Sequence, residues 1–324
     1  MKENVVLSVR NLKTYFKQDG YTTRAVDGIS FDIPRGKTLC LVGESGCGKS
    51  LTAMSILGLV PYPGEVVEGK ILFHDTDLTK VKKKNMSNYR GKSIGMIFQE
   101  PMTSLNPVLR IGRQLSEVYR VHEKMGKKEA KEHAIEMLRM VKIPEPEQRY
   151  RDYPHQLSGG MRQRVMIAMA LACKPDILIC DEPTTALDVT VQAQIMKLIV
   201  ELQNQMGMSV LLITHDMGIV SEMADQIHVI YAGKIVEKCD RERLFVKQYH
   251  PYSEALIRSI PVIGQRDREL YSIPGMVPRL TEERKGCLFA ERCPYAMDRC
   301  RKETPELTEV EPGREVACYR YESK

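Results

Sequence analysis

The sequence predicts an α/β fold, a parallel sheet covered by helices, and three observations carry the prediction. Thr38–Val42 is a short apolar run, read as a buried strand, that leads straight into a glycine-rich loop and then a helix. Two further apolar runs, Ile177–Cys180 and Val210–Thr214, flank a helical pattern over Val191–Gln203. Strand, helix, strand in that order brings a crossover helix onto a parallel sheet.

The other elements follow in order. Val5–Val9 alternates as a strand does, and Gly36-Lys37 reads as the turn before the first buried strand. Ala130, Ala134, Met137, Leu138 and Val141 recur at helical spacing, which predicts an amphipathic helix over Lys127–Val141 ended by Pro144 and Pro146. Ser158-Gly159-Gly160 precedes a Met- and Ala-rich helix, Met161–Cys173, with Ser158 near its start. Beyond about Pro261 periodicity fades into charge, Gly and Pro, which places a boundary to a small C-terminal extension.

The chain has 324 residues, 43% hydrophobic and 28% charged, enough to bury a full core and to form more than one domain. No run approaches the roughly 18 uninterrupted apolar residues of a membrane-spanning helix, and the start has no apolar signal-peptide core, so a cytosolic protein is expected. Nine cysteines in that compartment do not read as a disulfide framework. A net charge of +6, evenly spread, gives no argument for nucleic acid, and the run Lys80 to Lys84 reads as a solvated loop.

Gly43-Glu44-Ser45-Gly46-Cys47-Gly48-Lys49-Ser50 fits the G-x-x-x-x-G-K-[ST] phosphate loop and sits between strand and helix, as its mechanism requires. Gly43, Ser45, Gly46, Cys47 and Gly48 would turn backbone N–H groups around phosphate oxygens, and the helix start at Ser50 and Leu51 adds a favourable dipole. Lys49 is assigned to the β- and γ-phosphates and Ser50 to Mg²⁺. Ile177–Cys180 delivers Asp181 and Glu182 at a carboxyl strand end, where open α/β sheets bind ligands. Asp181 is assigned to Mg²⁺ through water, and Glu182 to the attacking water as general base. These residues define a P-loop NTPase. Cys47, beside Lys49 and a helix start, is expected to carry a depressed thiol pKa.

Leu157-Ser158-Gly159-Gly160-Met161-Arg162-Gln163 resembles the signature motif of ATP-binding-cassette (ABC) ATPases, just upstream of the acidic strand as in that family. The resemblance implies a RecA-like core with an antiparallel β subdomain and a helical signature subdomain at about 100–170, all within an ATPase domain of residues 1–260. It further implies a head-to-tail dimer in which Ser158 and Gly160 contact ATP held by the other subunit's phosphate loop. On the same grounds Tyr15 resembles the aromatic that stacks on adenine, Gln99 the glutamine that senses Mg²⁺ and water, Asp188 the loop that crosses the dimer interface, and His215 the histidine at the γ-phosphate.

The segments 99–114, 153–167 and 181–195, with His250-Pro251-Tyr252 and Ile273-Pro274-Gly275, resemble dipeptide/oligopeptide importer ATPases along nearly the whole chain. That implies a subunit on the cytoplasmic face of the membrane, peripheral to two permease subunits that are touched by the segment after Gln99. A second ATPase subunit, a paralogue or another copy, and an external solute-binding protein complete the implied importer. The sequence leaves the solute open among dipeptides, oligopeptides, nickel and other solutes. The rival readings are an ABC ATPase that acts on nucleic acid or ribosomes, and a redox-sensing regulator.

The extension, 261–324, holds Cys287, Cys293, Cys300 and Cys318, spaced C-x5-C-x6-C-x17-C. Structural zinc prefers pairs separated by two to four residues. Four cysteinates can instead hold a [4Fe–4S] cluster, and similar tails in the importer family suggest that assignment; zinc and free thiols are the alternatives.

Overall fold

Apolar residues near the N-terminus, Val6, Leu7, Val9 and Leu12, are buried on the strand β1 (Val5–Gln18). The strand expected over Val5–Val9 thus continues, because register shifts between Arg10 and Lys13 carry its pairing past the left-handed Asn11 (φ 45°). In this computed structural model the described residues are 4–18, 20–99, 104–184, 187–260, 271–278, 280–281 and 285–321. The chain divides into two units, one of Met1–Ile33, Thr38–Lys80 and Ile213–Lys324, the other of Pro34–Lys37 and Val81–Leu212.

In the first unit, β2 (Tyr21–Pro34), β1, β4 (Gly64–Phe73) and β5 (Thr76–Asp77) lie in that order in one sheet. The β1–β4 and β4–β5 pairs are antiparallel, which gives the antiparallel β part. Between them in sequence come β3 (Thr38–Val42), buried at all five residues, and α1 (Lys49–Ile56). Lys80 and Lys82 to Lys84 are exposed, as a solvated charge run should be.

The second unit carries β6 (Ile94–Ile97) and, among the described residues, the helices α2 (Ile111–His122), α3 (Lys127–Met140), α4 (Pro146–Arg149) and α5 (Gly159–Leu171). It continues through β7 (Ile177–Asp181) and α6 (Val189–Met206) to β8 (Ser209–Thr214), whose last two residues belong to the first unit. β6 and β7 pair in parallel, and β7 is buried throughout. A strand buried on both faces reads as an unbroken apolar run, which is why Ile177–Cys180 was legible without alternation.

The chain then returns to the first unit with α7 (Met217–Met223), β9 (Gln226–Tyr231), β10 (Lys234–Asp240), α8 (Arg241–Val246) and α9 (Pro251–Arg258). β9 runs parallel to β3 and antiparallel to β10. After α10 (Asp298–Lys302), the tail strands β11 (Thr308–Glu311) and β12 (Arg314–Val316) extend this sheet, with β12 pairing antiparallel to β10. Arg314 and Glu237 form a buried ion pair at 2.6 Å, and Glu237 also accepts backbone N–H bonds from Tyr249 and His250. The boundary expected near residue 261 lies outside the described residues.

Candidate functional site

Between β3 and α1, the loop Gly43–Ser50 takes its shape from glycines that no other residue can replace. Gly48 has φ 103°, and a Cβ there would stand 2.3 Å from the Ala25 carbonyl oxygen. Lys49 is 4% exposed, and its Nζ donates to the carbonyl oxygens of Gly43 (2.8 Å) and Glu44 (2.9 Å). Ser45 and Gly46 are exposed at the tip, while Ser50 and Leu51 are half-buried in the first turn of α1. The expectation for Cys47 is overturned. Its thiol is buried, and burial pushes its pKa up more strongly than the neighbouring Lys49 ammonium pulls it down.

The remaining members of the first unit are Tyr15 and His215. Tyr15 donates its hydroxyl to Asp27 Oδ1 at 2.6 Å, and the Arg24 guanidinium lies 5.8 Å from its ring centroid. Burial would raise the Asp27 pKa, but the bonds from Tyr15 and Lys234 hold it below the ordinary carboxylate value. His215 is exposed and directly follows β8, and Asp216 caps α7 by accepting from the Gly218 N–H at 2.8 Å.

In the second unit, parallel register brings two sequence-distant residues to one level. Ile97 pairs with Cys180, so Gln99 and Glu182, each two residues further on, emerge side by side. Gln99 Nε2 donates to Glu182 Oε2 at 2.9 Å, and Asp181 is 3% exposed at the end of β7. Glu182 has φ 46°, a left-handed conformation that a non-glycine residue adopts at a cost and that clusters at functional sites. Gln163 of the signature helix is buried and donates to the Pro183 carbonyl at 2.5 Å, tying α5 to the acidic turn.

Ser158 is the N-cap of α5, as its position in the sequence predicts, and its Oγ accepts from the Met161 N–H at 3.3 Å. Asp188 caps α6 in the same way, accepting from the Val191 N–H at 2.9 Å. The two helix starts meet, since a Cβ on Gly160 would stand 2.8 Å from Val191 Cγ1. Ser158, Gly159 and Asp188 are all exposed. Ala186, read with Asp188 as one loop, lies outside the described residues.

After Gln99, residues 100–103 are outside the described residues, but the next turn is well defined. The Gln114 side chain accepts from the Asn106 N–H and donates to the carbonyls of Asn106 and Leu109, closing the turn on α2. Val108 at its tip is 75% exposed.

Cys287, Cys293, Cys300 and Cys318 line one small cavity together with Phe289 and Tyr295. The Cys287 thiol is pushed up to about 11, chiefly by burial and in lesser part by its three partner thiols, against a lowering backbone bond at Phe289. Among the described residues no group of three or more His, Cys, Asp or Glu side chains is arranged to hold a metal ion.

Reading the sequence by motif missed Arg292, which holds the phosphate loop from the tail. Arg292 grips the Glu44 carboxylate with two bonds, 2.7 and 2.9 Å, and the Glu44 backbone N–H donates to the Tyr252 hydroxyl at 2.8 Å. The His250-Pro251-Tyr252 motif marked one of these partners. Nothing local marked Arg292, which lies 248 residues from Glu44.

Residues 26–185 match the family described as ABC transporter, and residues 236–300 match the oligopeptide/dipeptide transporter C-terminal region. The chain is 50% identical to the oligopeptide transport ATP-binding protein AppD of Bacillus subtilis, with 99% of this chain and 98% of that protein covered. Identity to the dipeptide transport ATP-binding protein DppD of Escherichia coli is 47%, covering 97% and 96%. Among solved structures, the ATP-binding cassette MJ0796, as a dimer bound to ADP and phosphate, matches with a TM-score of 0.65 and 26% identity, covering 72% of this chain and 98% of that one. No helix among the described residues is long and apolar enough to cross a membrane.

Proposed function

The chain belongs to the ABC transporter family and carries the C-terminal region of its oligopeptide/dipeptide transporters, and from that premise we propose that it hydrolyses MgATP to power import of dipeptides or oligopeptides. The observation that carries the catalytic half is the 2.9 Å bond from Gln99 to Glu182 beside the buried Asp181. The bond positions the part-exposed Glu182 carboxylate, while the end of β7 keeps Asp181 inside, as a base and a metal ligand require. Glu182 takes the proton of the water that attacks the γ-phosphorus, the bond to the β-phosphate oxygen breaks, and ADP and phosphate leave.

Lys49 exchanges its two loop carbonyls for the β- and γ-phosphates, while the loop amides and the start of α1 receive the remaining phosphate charge. Ser50 and Asp181, with Gln99, would hold Mg²⁺, which neutralises the developing charge. Tyr15 faces the adenine and His215 the γ-phosphate. Ser158 and Gly160 complete the other subunit's site, and Asp188 lies at the junction. The partners are a second ATPase subunit and, through the Val108 turn after Gln99, a transmembrane permease at the cytoplasmic face.

Glu182→Gln tests this reading. Hydrolysis should fall by about 10²–10⁴ with ATP binding intact, and an ATP-bound dimer should accumulate in gel filtration. Unchanged turnover overturns the assignment, and stimulation by DNA or RNA in the wild type would favour the nucleic-acid rival.

The tail belongs to the same proposal. Four thiols that line one cavity, at spacings wider than zinc pairs prefer, support a [4Fe–4S] cluster over zinc. Anaerobically purified protein should be brown and lose its colour in Cys293→Ser; colourless protein with stoichiometric zinc overturns the cluster.

A further inference from the structure

Glu44 presents an electrostatic problem. A carboxylate within a loop that must receive a triphosphate repels its ligand, and the repulsion grows as the site desolvates. The structure removes it with a residue from the tail. The Arg292 side chain is 4% exposed against 30% for Glu44, and both of its terminal nitrogens donate to the carboxylate at 2.7 and 2.9 Å, with longer bonds from Nη1 to the Tyr231 hydroxyl (3.3 Å) and from Nη2 to the Ile273 carbonyl (3.4 Å). Its Nε donates to the Pro274 carbonyl at 2.7 Å, so the guanidinium plane is set from two directions.

The backbone of Glu44 is held as well. Its N–H donates to Tyr252 and its carbonyl accepts from Lys49. Tyr252, Tyr231 and Phe289 are buried in one aromatic cluster with ring centroids 4.6 to 5.4 Å apart. Phe289 and Arg292 both lie between Cys287 and Cys293, so the segment that carries the cysteines also carries the clamp.

We propose that Arg292 is a positioning residue for nucleotide binding: by neutralising Glu44 and drawing its carboxylate aside, it keeps the phosphate loop receptive to MgATP. This rests on the reading of Gly43–Ser50 as the nucleotide site. Arg292 acts through Glu44 and touches no substrate.

The test is MgATP affinity by isothermal titration of the full chain. Arg292→Met should weaken binding at least about ten-fold, raising KM for ATP far more than it lowers kcat. Arg292→Met/Glu44→Gln should recover to within about three-fold of wild type, because a neutral amide in place of the carboxylate leaves nothing to repel. A fault in folding alone would persist in the double variant, and that persistence overturns the proposal, as does an Arg292→Met Kd within about two-fold of wild type. If Arg292→Met does not fold, Arg292→Lys against Arg292→Lys/Glu44→Gln makes the same comparison with a smaller loss. Wild-type protein that binds no MgATP condemns the nucleotide site itself, a result separate from either.

Discussion

The two glycine-rich helix starts in this chain look alike as sequence and differ as objects. At Gly43–Ser50 the lysine is buried, the second residue is held through its amide, carbonyl and carboxylate, and a neighbouring backbone carbonyl sets how small Gly48 must be. At Ser158-Gly159-Gly160 the cap and the first glycine are exposed, and the closest neighbour of Gly160 is the tip of a valine side chain. Both offer helix amides and a dipole to an anion. The first is held on several sides by residues of its own unit. The second faces outward, which is what the proposed contact with nucleotide on another subunit requires.

The sharpest break between the two comes from adding one methyl group to each. Gly48→Ala puts a Cβ against the Ala25 carbonyl in a left-handed conformation, so backbone must move; MgATP binding should weaken by about a hundred-fold or more, beyond the roughly 1–2 kcal/mol of the left-handed penalty alone. Gly160→Ala meets only Val191 Cγ1 on a right-handed helix, and a rotation of that valine can relieve it. Its subunit should fold normally and bind MgATP within about two-fold of wild type, with hydrolysis reduced because the displaced Val191 disturbs the paired starts of α5 and α6. Equal losses of nucleotide binding in the two variants would erase the distinction.

The same contrast explains which parts of the site were legible in the sequence. Local chemistry announced itself: the β3–loop–α1 order, the acidic end of β7, and Ser158 as a cap, each decided within a short stretch of chain. The helix over Lys127–Val141 stops one residue earlier, at Met140, with Val141 as its C-cap. Long-range geometry left no local mark. Gln99 meets Glu182 only because Ile94–Ile97 pairs in parallel with Ile177–Cys180, and no periodicity encodes a register between separate strands. Cys47 was misjudged because charge neighbours are visible in sequence and burial is not; the thiol's surroundings, not Lys49, set its pKa. Nor did the tail read as a continuation of the sheet, since β11 and β12 are four and three residues long and too short for alternation to be recognised. Pairing with β10 and the buried Arg314–Glu237 contact supply what their length does not.

The smallest change gives the finest test of an outward-facing loop. Ser158→Ala removes one cap oxygen, which should cost about 1 kcal/mol of stability through the start of α5. If Ser158 served its own subunit's nucleotide, affinity for MgATP would fall along with stability. If it serves another subunit's, affinity in dilute monomer stays unchanged while turnover falls several-fold, and the deficit shrinks as protein concentration rises, because a weaker dimer is recovered by mass action. Calorimetric affinity at low concentration, set beside phosphate release across a concentration series, separates the two, because only the second makes activity depend on concentration more steeply in the variant than in the wild type.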